Sequence, residues 1–314
     1  MNEIKDRLFK ELVKKGYSQS QKGVKCWDAA NRSLMYANEE LAKKFLEFRD
    51  FPRYRKIVVD TEIALIKDNA AKFFDDGEEL NFNLIDLGCG DGLKAKVFIG
   101  ALGEKYNLRY CPVHINKFLI DKALQNVKEQ KFNNISEYMP FIADLESLDD
   151  VVGGIRNDDY KNNIVLLFGS ILASFDIHSY LFNLSQAMMP GDFLVIGNGI
   201  RAEERFSHLE LYKHSIFDEW LFLLMRELGF ERDEVEYDAR FANGRVEGFY
   251  RIKVEKSIQH EGKKIEFKAG DEIVMSVLYK YYASELNDYC KMYFRDVEMV
   301  TDTEKEYALL FCRK

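Results

Sequence analysis

The residues of this chain best equipped for chemistry lie together at Asp86-Leu87-Gly88-Cys89-Gly90-Asp91-Gly92. Gly88, Gly90 and Gly92 let backbone amides approach a ligand with no Cβ in the way, and a helix opening after them offers its positive end. Such a loop suits an anion or a carboxylate. A dinucleotide-binding fingerprint needs its third glycine one residue later, where this chain has Leu93, and no Gly-Lys-Ser/Thr follows as a phosphate loop requires. Cys89, between two glycines, reads as a small turn residue rather than a nucleophile. The five cysteines, Cys26, Cys89, Cys111, Cys290 and Cys312, are scattered, with neither a Cys-x-x-Cys pair nor a Cys/His zinc spacing. They read as reduced thiols of a cytosolic protein, with no metal.

The loop needs a strand before it and a helix after it, and the sequence supplies both. Asn83 to Leu87 is a short apolar run, and Leu93 to Leu102 has helical character. The alternation continues with a strand at 110–113, a helix at 118–127, a strand at 138–142, a strand at 163–168, a helix at 178–188 and a strand at 193–196. Five strands with intervening helices imply a doubly wound parallel sheet. Before it stand helical patterns at 4–15, 38–48 and 57–74. After Gly199 come an apolar helix at 217–228 and alternating strands at 248–258 and 265–274, joined through His260-Glu261-Gly262-Lys263 as a hairpin. A helix at 284–294 and strands at 297–300 and 307–311 close the chain, adding two strands to the parallel sheet, one of them antiparallel.

Composition is consistent with a globular α/β protein. The 314 residues hold 47% hydrophobic and 31% charged residues with four prolines, enough for one or two domains of about 100–200 residues each. A formal charge of -8 argues against a broad nucleic-acid surface, which needs clustered Lys and Arg. The charged start, Met1 to Arg7, lacks the apolar stretch of a signal peptide, and no segment has the run of about 18 apolar residues of a membrane span. Neither nucleic acid nor a membrane is an expected partner, and the sequence sets no oligomeric state.

With Asp86 ahead of it, the D-x-G-x-G-x-G loop resembles the first motif of Rossmann-like methyltransferases that use S-adenosylmethionine. There Asp86, Gly88, Cys89, Gly90 and Gly92 would cradle the methionine part of the cofactor. The resemblance puts a ribose-binding acid at the end of the second strand, and His114 stands there instead, with Asn116 nearby; a neutral imidazole can accept one hydrogen bond. Asp144, after the third strand, would accept from the adenine amino group or else cap a helix. Phe168-Gly169-Ser170, ending the fourth strand, would present backbone and small side chains to the methyl group.

From about Thr61 onward the order of motifs resembles the histidine-specific methyltransferase family, which includes the enzyme that trimethylates histidine in ergothioneine biosynthesis. The landmarks are Thr61-Glu62, Asp86 to Gly92, Cys111-Pro112-Val113, Leu167 to Ser170, Pro190-Gly191-Asp192, Phe249 to Ile252, Phe267 to Ile273 and Tyr279-Lys280-Tyr281. The resemblance implies an α/β fold: a Rossmann-like class I methyltransferase core from 61–200 plus 279–314, with a second α+β substrate domain from 1–60 plus 201–278. It also implies a substrate cleft between the two parts.

The substrate positions depart from the family. The asparagine expected after Gly169-Ser170 is Ser174, and the Glu and Ser that hold an imidazole become Ser276 and Leu278. A tyrosine ahead of Thr61 is missing unless Tyr54 takes its place. Losing a carboxylate and gaining Leu278 removes imidazole partners, a change that can be worth orders of magnitude in discrimination. The expected acceptor is therefore an amino acid or related small amine other than histidine.

Methyl transfer is an in-line displacement that depends on alignment and exclusion of water. Tyr54, Ser170, Ser174, Ser276 and Tyr279 are the candidate groups at the acceptor. Trp27, Phe249 and Tyr250 fit core packing better than a pocket lining. Two alternatives stand beside this reading: a methyltransferase acting on a protein or peptide side chain, and a degenerate cofactor-binding interaction module.

Overall fold

The computed structural model describes residues 3–19, 23–74, 81–202, 204 and 206–314. The chain divides into two compact units, residues 55–204 with 281–314 and residues 1–54 with 205–280.

The first unit is built on an eight-stranded sheet. Its strands are β1 (Asn81–Leu87), β2 (Asn107–His114), β3 (Ile135–Tyr138), β4 (Asn162–Leu167), β5 (Phe193–Gly199), β6 (Arg295–Thr301) and β7 (Tyr307–Arg313), with a short strand Phe141–Ile142 beside β2. The order is β6-β7-β5-β4-β1-β2-β3. β1 to β5 run parallel, and β7 lies antiparallel between β5 and β6. The order reverses at β1, which is where an open parallel sheet leaves a crevice at the carboxyl ends of its strands. The expected strand at 138–142 is instead two short ones separated by Met139-Pro140, because proline cannot donate to the ladder.

Buried strands with apolar residues on both faces explain why the sheet is covered on both sides. Leu84, Leu166 and Val195 face helices α1 (Thr61–Asn69) and α2 (Leu93–Leu102), where Phe98 is fully buried. Ile85, Val165 and Ile196 face the other side, against α4 (Ile177–Ala187) and α5 (Ala283–Lys291). Helix α3 (Lys117–Lys128) follows β2. Truncating Phe98 to Ala would cost about 3–5 kcal/mol. At the amino ends of the strands, the Asn83 amide joins Asn163 at 2.8 Å and Arg109 at 2.7 Å. Polar groups buried there are satisfied within the protein, leaving the opposite edge for ligands.

The second unit carries a five-stranded sheet in the order 17–19, 25–28, 272–279, 245–252 and 235–242. All pairings are antiparallel except that of Lys25–Asp28 with Glu272–Tyr279. The expected hairpin exists, but only as the separate ribbon Lys256–His260 with Lys263–Phe267. The longer strands expected at 248–258 and 265–274 break at 253–255 and at 268–271, and Asp271 shapes the second break. Its carboxylate accepts from the amides of Lys25 and Lys268 while Gly270 turns with φ +93°. Helices Glu39–Asp50 and Ser215–Glu227 meet in an aromatic core of Tyr36, Phe45, Phe48, Phe217 and Trp220. Trp27, Phe249 and Tyr250 are likewise buried. Among the described residues no helix is long and apolar enough to cross a membrane.

Candidate functional site

At the end of β1 the chain turns through Gly88, Gly90 and Gly92 with φ of +70°, +54° and +74°, values that side chains adopt only with strain. The amides of Gly88 and Cys89 both donate to the Val113 carbonyl, at 2.9 and 3.1 Å, and that of Gly92 donates to Cys89 O at 2.8 Å. These bonds fold the loop back over β2 before α2 begins. A Cβ on Gly88 would lie 2.3 Å from Ile171 Cδ1, and one on Gly92 would lie 2.9 Å from the Ala123 Cα. The loop is therefore fixed by its own packing as well as by what it could hold. Cys89 packs against Ile120 and Ala123, and burial raises its thiol well above the usual range, as a small turn residue requires.

Asp86 is buried, and the Tyr110 hydroxyl donates to its carboxyl at 2.8 Å. Burial pushes its pKa up to about 7, against the lowering effect of the Tyr110 hydrogen bond. The side chain thus holds the loop's entry from below the sheet edge.

A residue that sequence reasoning gave no role completes this edge. Glu62, in the first turn of α1, is 0% exposed, its Oε1 accepts from the Gly169 amide at 2.9 Å, and its Oε2 pairs with Lys94. Lys94 comes from the first turn of α2, directly after the glycine loop. A Cβ on Gly197 of β5 would lie 1.8 Å from Glu62 Oε1. The signal that could have found this contact is the glycine inside Leu194-Val195-Ile196-Gly197, since a strand glycine often marks a close approach.

The ends of β2 and β4 differ in detail from expectation. The Asn116 amide donates to His114 Nδ1 at 3.0 Å, so a neutral His114 carries its proton on Nε2. There it acts as a donor, which reverses the expected acceptor role. Asn116 itself caps α3 through the Phe118 amide. Asp144 follows the short strand Phe141–Ile142, and its Oδ1 accepts from the Glu146 amide at 3.2 Å in a local turn. The Phe168 ring is buried with Phe98, leaving its backbone at the sheet edge. Gly169 has φ +78°, and a Cβ there would lie 3.0 Å from Lys94 Nζ. Ser170 has φ +57°, and its hydroxyl accepts from the Gly199 amide at 2.9 Å, tying β4 to β5. Ser174 ends the short turn Leu172–Ser174 that follows.

One sheet edge therefore gathers Asp86, Gly88 to Gly92, His114, Phe168, Gly169 and Ser170, with Lys94 and Glu62 added. The turn spends the amides of Gly88, Cys89 and Gly92 on its own fold, so the donors it leaves for a carboxylate are the Gly90 amide and the ammonium group of Lys94 beside it. That donor set fits the amino-acid end of S-adenosylmethionine.

Tyr54, Ser276 and Tyr279 belong to the other unit. The Tyr54 ring lies 4.3 Å from that of Phe48. Ser276 pairs with Gly248, and a Cβ on Gly248 would lie 2.6 Å from Ser276 Oγ and 3.0 Å from the Tyr237 hydroxyl. Tyr279 lies opposite Arg245, whose guanidinium pairs with Glu247 and reaches the Tyr279 hydroxyl at 3.5 Å. Strand alternation thus puts Ser276 and Tyr279 on opposite faces of the sheet. Of these two candidate acceptor groups, each therefore faces a different side of that sheet.

Comparison with solved structures returns methyltransferases at low identity. A S-adenosylmethionine-dependent methyltransferase from Clostridium acetobutylicum ATCC 824 is 13% identical with a TM-score of 0.45, over 86% of this chain and 98% of that one. A protein from Pyrococcus horikoshii OT3 is 15% identical with a TM-score of 0.46, over 88% and 98%. The magnesium protoporphyrin IX methyltransferase from Synechocystis PCC 6803, solved with bound S-adenosylhomocysteine, is 10% identical with a TM-score of 0.43, over 89% and 96%. No curated protein sequence matches the chain. The model of one protein family, the histidine-specific, S-adenosylmethionine-dependent methyltransferases, matches residues 9–314. With that match and the glycine-loop edge of its parallel sheet, the chain belongs to this family and is an S-adenosylmethionine-dependent methyltransferase.

Proposed function

We propose that the enzyme N-methylates an amino acid or related small amine other than histidine. S-adenosylmethionine, when bound, supplies a methyl group on a sulfonium that is open to in-line attack. The protein's part is to align the two reactants and keep water away. In this reading the Gly90 amide and the Lys94 ammonium receive the methionine carboxylate, in a turn that the amides of Gly88, Cys89 and Gly92 hold in shape. Glu62 holds Lys94 in place, His114 Nε2 and Asp144 face the adenosine, and the Gly169-Ser170 backbone bounds the methyl group. Tyr54, Ser174 and Ser276 are the acceptor-side groups, and Tyr279 acts on them only through the sheet it belongs to.

The observation that carries the acceptor reading is the pair Ser276 and Leu278. On the face of Ser276 the neighbours are Gly248, Leu221 and the Tyr237 hydroxyl. The carboxylate close to that face, Asp218, is already engaged by Arg232 and the Tyr250 hydroxyl. An imidazole held there would lose about 1–3 kcal/mol for each partner left unmade.

The test is incubation with labelled cofactor and free histidine beside other amino acids, simple amines and basic peptides, with transfer followed by mass spectrometry. Transfer to an amino acid or small amine, with histidine poor, supports the proposal. Efficient histidine trimethylation overturns it. Transfer to the peptides alone replaces the small-molecule acceptor with a protein side chain, and cofactor binding without transfer to any of them points to a non-catalytic module.

A further inference from the structure

The strand β2 ends at His114, one residue after Val113, whose carbonyl accepts from the Gly88 and Cys89 amides at 2.9 and 3.1 Å. The glycine turn is therefore tied to the residue just before this histidine, which fixes the imidazole's place beside the cradle. The histidine is held again from beyond the strand. Its carbonyl accepts from the Ala143 amide at 3.2 Å, and its backbone pairs with Ile142 of the short strand beside β2. The ring is held from the chain ahead, where Nδ1 accepts from the Asn116 amide at 3.0 Å. Asn116 is in turn fixed as the cap of α3, its Oδ1 accepting from the Phe118 amide at 2.9 Å. His114 is 6% exposed.

The chemistry of that position follows from the two ring nitrogens. A neutral imidazole has one nitrogen lone pair to accept with and one N–H to donate. The Asn116 amide takes the lone pair at Nδ1, so the ring offers Nε2–H, a donor pointing in one direction. A carboxylate at the end of the same strand has two oxygens and no hydrogen to give, and it takes the hydrogens of both ribose hydroxyls. The histidine therefore reverses the direction of the hydrogen bond and reduces the number of oxygens it can reach.

We propose that His114 reads the cofactor ribose through a single hydroxyl oxygen, donating Nε2–H to it, so that recognition depends on a lone pair at one hydroxyl and not on the hydrogens of both. This role rests on the cofactor placement given above and on nothing about the methyl acceptor. Because the ring is held before the cofactor arrives, it loses little freedom on binding. A cofactor without the matched oxygen leaves a buried donor unpaired.

The direct test needs no turnover. Protein labelled with ¹⁵N-histidine is titrated with S-adenosylhomocysteine, and the His114 signals are assigned by their absence in His114→Gln, whose fold is checked by circular dichroism. A proton on Nε2 and none on Nδ1 is expected before and after binding, with a saturable shift at Nε2. A proton on Nδ1 or on both nitrogens, or bound ligand that leaves Nε2 unmoved, overturns the donor role.

The second arm is calorimetry with the 2′-deoxy and 3′-deoxy forms of S-adenosylhomocysteine. One of the two should bind wild type about 5-fold to 50-fold more weakly than the parent compound, the effect of an unpaired buried donor. His114→Leu should reduce that penalty to within about 2-fold and leave the other analogue's penalty as in wild type. His114→Gln, whose amide keeps an N–H, should retain part of it. Penalties that His114→Leu leaves unchanged, or changes for both analogues alike, overturn the single-oxygen contact. Folded wild type that binds no S-adenosylhomocysteine overturns the cofactor placement together with this role, whereas binding that His114 does not sense overturns this role alone.

Discussion

Gly197→Ala should damage the protein in a way that isolates the role of Glu62. Gly197 lies within β5 and has no left-handed backbone to protect, so where space allowed, Ala would stabilise by about 0.4–1 kcal/mol. Space is what it lacks. The new Cβ would lie 1.8 Å from Glu62 Oε1 and 2.8 Å from its Cδ, and a buried carboxylate wedged between α1, α2 and the end of β4 has no free direction in which to move. Overpacking of a core costs about 1–3 kcal/mol. Pulling Oε1 off the Gly169 amide forfeits a charge-assisted bond worth about 1.5–3 kcal/mol. The expected loss is therefore about 3–5 kcal/mol in urea unfolding followed by circular dichroism. A double-mutant cycle with Glu62→Ala gives the sharper readout, because with Glu62 truncated the added methyl meets no carboxylate. The two substitutions should then couple by more than about 1 kcal/mol. Wild-type stability in Gly197→Ala, or additivity in the cycle, would refute this reasoning.

Two further outcomes follow from the same edge of the sheet. Gly92→Ala brings a Cβ within 2.9 Å of backbone at φ +74°, so it should lose about 2–4 kcal/mol in the same unfolding assay. Asp86, raised by burial to about 7, binds its proton more tightly folded than unfolded. Its contribution to stability is therefore fully present below about pH 4 and is lost as pH rises through about 7. Asp86→Asn keeps an acceptor for Tyr110 and removes the titration. Its stability should fall less than wild type's between pH 4 and pH 7, by about 2–4 kcal/mol, and parallel pH profiles would show that Asp86 titrates normally.

Much of the core was legible because its signals are local. A strand, a glycine turn and a helix are contiguous at 81–102, and the short apolar runs at 107–114, 162–167 and 193–199 need no partner to be recognised as buried strands. The accessory sheet was harder, because its strands take their identity from distant chain. Tyr17–Gln19 is polar and exposed, and Lys25–Asp28 pairs in parallel with residues almost the whole sequence away. The strand Val235–Ala242, with Glu236, Asp238 and Arg240 along it, carries too few apolar residues to announce itself. Residues 55–60, assigned by sequence to the accessory part, run as a wide helical turn directly into α1 and group with the core unit.

At the site, residue types were easier to read than their directions. The glycines demanded a turn whatever they bind, but the proton on His114 is set by the amide of Asn116 two residues on. Glu62 stood out as a landmark, yet its partner amide is 107 positions away. Ser276 and Tyr279 are three apart on a strand, and that odd spacing turns them to opposite faces.

The central claim is that the Gly88 to Gly92 turn is the cofactor cradle. Isothermal calorimetry of the folded protein with S-adenosylhomocysteine tests it most directly, run on wild type and on Gly90→Val with the fold of both checked by circular dichroism. Micromolar binding by wild type that is abolished in the valine variant is predicted. Failure of the folded wild-type protein to bind, or equal affinity in Gly90→Val, would contradict it.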